Sequence, residues 1–119
     1  MENIDLEKVH ERVVNEIADH HRMTPEEAEN FYSCMKIWCS INVTNKRWSD
    51  VSKNAKAYTS YGLKHVYERE IDKYIANNWI KAALCEDGFD LQKTRQNTAI
   101  TIDDIFTNSV NFRFRIKKM

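Results

Sequence analysis

Residues 60–89 read SYGLKHVYEREIDKYIANNWIKAALCEDGF, and this stretch decides the fold. Leu63, Val66, Tyr67 and Ile71 recur at helical spacing and predict a helix with one apolar face. Ser60 is the expected N-cap, because its hydroxyl can accept from a free amide of the first turn. Lys64, Glu68 and Asp72 stand four apart and predict a charged stripe on the opposite face. A break is expected at Asp72-Lys73. Asn77 or Asn78 then caps a second helix, whose apolar face is Trp79, Ile80, Ala83 and Leu84. Gly88 ends it, since glycine enters the left-handed region without a Cβ penalty, and Phe89 should fold back on Leu84.

Working toward the N-terminus, Thr24-Pro25-Glu26-Glu27 is a capping box with proline at the first helical position. It predicts a helix from Pro25 to about Cys39, with Ala28, Phe31, Tyr32, Met35 and Trp38 as its buried stripe. Before it, Leu6, Val9, Val13 and Ile17 predict a helix over 4–22, capped by Asp5. The two form an antiparallel hairpin. Ile41 to Thr44 reads as a short strand or an extended connection. Residues 45–59 are polar and basic around Trp48.

Working toward the C-terminus, Thr98 to Ile102 reads as a short strand. Val110, Phe112, Phe114 and Ile116 alternate with Asn111, Arg113, Arg115 and Lys117, the strongest strand pattern in the chain. The two segments are expected to pair antiparallel on the helices. The fold class is therefore α+β, mostly α: an N-terminal helical hairpin, a central helix pair and a small C-terminal antiparallel ribbon, within one domain over 1–119.

The pattern S-Y-G-L-K-H, Glu68, Y-I-A-N-N, K-A-A-L and G-F, with Asn111-Phe112-Arg113-Phe114 in the tail, resembles a motif of small bacteriophage and mobile-element proteins. Most of those have no assigned activity; some small proteins of this genomic type inhibit host defence, anti-CRISPR proteins among them. The resemblance covers Ser60–Phe89 and the tail. It implies a host protein or ribonucleoprotein complex as partner, in the host cytoplasm.

The formal net charge is 0, so general polyanion affinity does not follow from it. Residues 1–30 nevertheless hold nine Asp/Glu and three Lys/Arg, which leaves the remainder basic. Three cysteines, Cys34, Cys39 and Cys85, form no regular framework, which favours a reducing compartment. No apolar run reaches membrane-spanning length and no signal peptide is read, so no membrane partner is expected. Two glycines supply no phosphate-binding loop, and neither C-x-x-C nor H-E-x-x-H occurs. No cofactor, metal or catalytic set is read, and the expectation is a non-enzymatic protein.

Two functions follow. In the first, the acidic face of the first helix, with Glu7, Glu11, Glu16 and Asp19, docks on a basic partner such as a nucleic-acid channel of a defence nuclease; the plain alternative is a solvated helix face. In the second, the chain binds nucleic acid, in the outline of a winged helix-turn-helix. Its reader would be residues 78–87, which carry a single cation. The better candidate is the basic face of the last strand, with Arg113, Arg115 and Lys117. In the basic stretch, Lys46, Arg47 and Lys53 can touch a nucleic-acid backbone with Trp48 stacking on a base, the plain alternative being a solubilising loop whose tryptophan plugs the core. A homodimer through the edge of that strand is compatible with either function. For His65, a buried hydrogen bond to the closing strand is expected.

Overall fold

The computed structural model describes residues 4–44, 59–94 and 98–115. Helix α1 spans Leu6–His21 and α2 Pro25–Thr44. Helix α3 spans Ser60–Ile71 and α4 Asn77–Glu86. Strand β1 is Asp90–Lys93, α5 is Ile102–Phe106 and β2 is Phe112–Arg115. The expected class, α+β and mostly α, is the observed one.

Asp5 caps α1 by accepting from the Lys8 amide at 3.3 Å. Arg22 then closes the helix at φ 54°, a conformation that costs a residue with a Cβ. The capping box that opens α2 is formed in both directions. Thr24 N–H donates to Glu27 Oε1 at 3.0 Å, and Glu27 N–H to Thr24 Oγ1 at 3.2 Å. Helix α2 does not stop at Cys39: residues 41–44 are its last turn, neither strand nor extended connection. Val43 continues the buried stripe of Ala28, Tyr32, Met35 and Cys39 at helical spacing. Burial of that stripe outweighs the low helix propensity of the β-branched residues.

Helix α4 is the axis of the molecule. Trp79 to Cys85 are all buried, as expected for a helix enclosed by neighbours. It packs against α1, α2, α3 and α5. Gly88 ends it at φ 78°. The Phe89 amide bonds the Leu84 carbonyl at 3.2 Å and the Gly88 amide the Cys85 carbonyl at 3.1 Å, the pair of bonds of a Schellman motif.

Three expectations for this region need correction. The N-cap of α3 is Thr59, which accepts from Gly62 N–H at 3.1 Å; Ser60 lies inside the helix and is buried. The N-cap of α4 is Ala76, without a side-chain bond, because Asn77 and Asn78 are turned to a more distant loop. The partner of the last strand is Asp90–Lys93, not Thr98 to Ile102. The register pairs Asp90 with Arg115 and Lys93 with Phe112, antiparallel. Thr101 instead opens α5 through a capping box with Asp104. That pair of residues is the helix-start signature that competes with a strand here. On its other edge β2 meets Thr59 in an isolated bridge at Arg113. Phe112 is fully buried, so the ribbon closes the core shared by the described helices.

Candidate functional site

The four acids assigned to one face of α1 do not share it. At about 100° per residue, Asp19 lies roughly 80° and Glu16 roughly 140° around the helix from Glu11. Glu7, Glu11 and Asp19 are exposed. Glu16 flanks the buried side, and its Oε2 is enclosed without a hydrogen-bond partner. Burial raises its pKa, against the pull of Arg12. Among the described residues, Glu7, Glu11 and Asp19 form no ion pair.

Of the basic candidates, Lys46, Arg47, Trp48, Lys53 and Lys117 lie outside the described residues. Arg113 and Arg115 lie in β2, with Arg113 exposed. The proposed reading helix is corrected by its burial. Asn77 and Lys81 point into the protein, not to solvent. Lys81 is wholly buried, and its ammonium donates to the carbonyls of Asp104 at 2.8 Å, Thr107 at 2.8 Å and Val110 at 2.7 Å. Three N–H groups meet three acceptors, which compensates the desolvated charge. Burial pushes its pKa down to about 8, so it stays charged at neutral pH. Asn77 adds bonds to the Asn108 carbonyl and Asn111 Oδ1, and Asn78 one to the Phe106 carbonyl. The polar edge of α4 thus organises the loop that carries the chain from α5 into β2.

A second constellation joins α1, α2 and α4. His10 Nδ1 lies 3.0 and 3.2 Å from the two carboxylate oxygens of Glu86, and Nε2 meets Glu29 Oε1. The Tyr32 hydroxyl donates to Glu86 Oε2, and Lys36 Nζ stands 3.7 Å from Glu86 Oε1. Burial, with Glu86 beside it, raises the Tyr32 pKa and keeps the phenol protonated. The imidazole edge packs on the Tyr32 ring. Next in sequence, Asp87 is half-buried; desolvation raises its pKa to about 6, against a bond from Ser40 and the charge of Lys36. Sequence reasoning missed this cluster. His10 is a single polar residue on an amphipathic helix, and nothing in its spacing points to Glu86, 76 residues away.

The third constellation lies at the α3–α4 corner. Lys64 is buried rather than part of a solvent stripe, and its Nζ donates to Glu68 Oε1 at 2.7 Å. Its ammonium sits 5.7 Å from the Tyr61 ring centre and 5.3 Å from that of Tyr74. Those tyrosines, about half exposed, cover the ion pair. His65 is exposed against Tyr61 and 3.3 Å from Glu68, so it makes no buried bond to the closing strand. Ser60 makes that bond: its Oγ accepts from the Phe112 amide at 3.0 Å.

Cys39 and Cys85 are buried and Cys34 exposed. Desolvation pushes the Cys85 thiol up to about 12, which removes it as a nucleophile at neutral pH. An open groove between α2 and α3 is lined by Met23, Phe31, Cys34, Tyr67 and Ile71. Among the described residues, no group of three His, Cys, Asp or Glu side chains is arranged to hold a metal ion. No described helix is long and apolar enough to cross a membrane. No model of a known protein family matches the chain, and neither a curated protein nor a solved structure matches it.

Proposed function

We propose that this chain is a non-enzymatic binding protein of the mobile-element type that acts on host machinery, with inhibition of a defence nuclease complex as its specific form. The observation that carries the reading is the distribution of charge. Lys64 and Lys81 are spent on internal partners, whereas Glu7, Glu11 and Asp19 face solvent with no ion pair among the described residues. Exposed carboxylates with no described ion pair on one helix can meet a basic partner surface, where complementary charge speeds encounter. The mobile-element resemblance of Ser60–Phe89 supports the host setting.

The test is co-purification of the tagged protein from host cells, with and without nuclease, for the wild type and for a Glu7→Lys/Glu11→Lys/Asp19→Lys variant. A protein partner that survives nuclease and binds the variant at least about tenfold more weakly is expected, a loss of about 1.4 kcal/mol. Partner binding unchanged by the triple reversal removes the acidic-face assignment. Nucleic acid recovered in its place, and lost at raised salt, moves the assignment to the second reading, in which Arg113 is the exposed described cation.

A further inference from the structure

The imidazole of His10 bridges two carboxylates that come from two other helices, Glu29 of α2 and Glu86 of α4. An ionised carboxylate only accepts hydrogen bonds, and a neutral imidazole carries a single N–H. With both ring nitrogens facing carboxylates, the arrangement needs two hydrogens on the ring, or one on a carboxyl group. Either way it holds one proton more than a neutral histidine and two ionised glutamates supply. The titratable groups beside Glu86 do not provide it. From α2, the Tyr32 hydroxyl already donates to Glu86, and Lys36 contributes charge at 3.7 Å from the same carboxylate. From α4, Asp87 is engaged by Ser40.

We propose that this extra proton fastens α1 to α2 through a Glu29–His10–Glu86 clasp, which opens at Glu29 when the proton leaves. The two ends of the clasp are unequal. Glu86 is 14% exposed and also held by Tyr32 and Lys36, whereas Glu29 is 46% exposed and has no second described partner. On deprotonation the remaining N–H stays with Glu86. The bare Nε2 lone pair then faces the Glu29 carboxylate, the two repel, and Glu29 turns to solvent. The proton moves to bulk water, and no covalent bond other than its own changes. Because the closed clasp binds a proton that the open one releases, the closed form loses stability as pH rises. The clasp would tune how firmly α1 is held, whichever partner the protein binds.

Glu29→Gln separates this device from simple packing. The glutamine amide donates to an unprotonated Nε2, so the α1–α2 contact survives without the extra proton. Thermal unfolding of the whole chain is followed between about pH 5 and pH 8, the range in which the histidine side chain changes charge. The wild-type midpoint is expected to fall by about 4 °C more than that of Glu29→Gln. His10→Gln should flatten the profile likewise, and if it fails to fold, NMR of the wild-type protein replaces it. At about pH 6, ¹⁵N and ¹³C spectra should show two ring N–H groups on His10 or one protonated carboxyl, lost on raising pH. Parallel pH profiles for wild type and Glu29→Gln would overturn the proposal. So would a single ring N–H with both carboxylates ionised throughout.

Discussion

The ammonium of Lys81 lies 2.7 Å from the carbonyl oxygen of Val110, so one buried charge at the centre of α4 anchors the chain where it enters β2. The other two bonds of that ammonium, to Asp104 and Thr107, fix the end of α5. Lys81→Met keeps the volume but leaves three carbonyls without their donor. It is expected to cost about 2–4 kcal/mol in urea unfolding, since each buried carbonyl left unpaired costs about 1–3 kcal/mol and the Thr107 carbonyl keeps the Val110 amide. A loss under about 1 kcal/mol would mean that the carbonyls find other donors, and the anchoring role would fail.

Ser60 and Phe112 make the corresponding contact from α3. The buried hydroxyl accepts the Phe112 amide, on the strand edge beside the Thr59 bridge. Ser60→Ala leaves that amide unpaired and should destabilise by about 1–3 kcal/mol. Hydrogen exchange at Phe112 should rise with it. Unchanged exchange there would indicate that Ser60 does not serve the strand.

Asp87 gives a pH dependence of known sign. Desolvation lifts its pKa from 3.8 to about 6, so the folded chain keeps this proton to higher pH than the unfolded chain does. The contribution is therefore full below pH 3.8 and is lost as pH rises through 6. At neutral pH the ionised group is a net cost. Asp87→Asn should stabilise the protein by about 1 kcal/mol, a figure already reduced for solvent screening of a half-exposed group. The gain should vanish near pH 4. A variant less stable than wild type at neutral pH would contradict the burial cost.

Arg22 closes α1 at φ 54°, where a side chain is strained and glycine is not. Arg22→Gly should raise stability by about 1 kcal/mol, seen as a higher unfolding midpoint without a change in cooperativity. A lower midpoint would show that the arginine side chain contributes more than its backbone costs.

Local rules made much of this fold readable. The Thr24–Glu27 box, the Asp5 cap, the Gly88 stop and the apolar spacing of the helices each depend on residues within a few positions of one another. The same is true of the Thr101–Asp104 box, whose signature is present but lies against an apolar alternation that also reads as strand. For the buried polar residues of α4, distance in the chain was the cause of the failed expectation. Lys64, Lys81 and Asn77 look like surface residues by type. Lys81 and Asn77 are buried because a loop far away in sequence supplies their partners, whereas Lys64 pairs with Glu68 four residues on, beneath the rings of Tyr61 and Tyr74.

The acidic face shows the limit from the other side. Composition placed acidic residues in the first thirty positions, but it did not say which of them a partner could reach. Helical rotation leaves Glu7, Glu11 and Asp19 outside and turns Glu16 toward the core. Periodicity, caps and the glycine stop set which segments become helices, because those signals act over one turn of chain. Which polar residues stay in water was settled by packing. A charge can be buried only where acceptors converge on it, and convergence such as that of Asp104, Thr107 and Val110 on Lys81 exists only once the chain has folded.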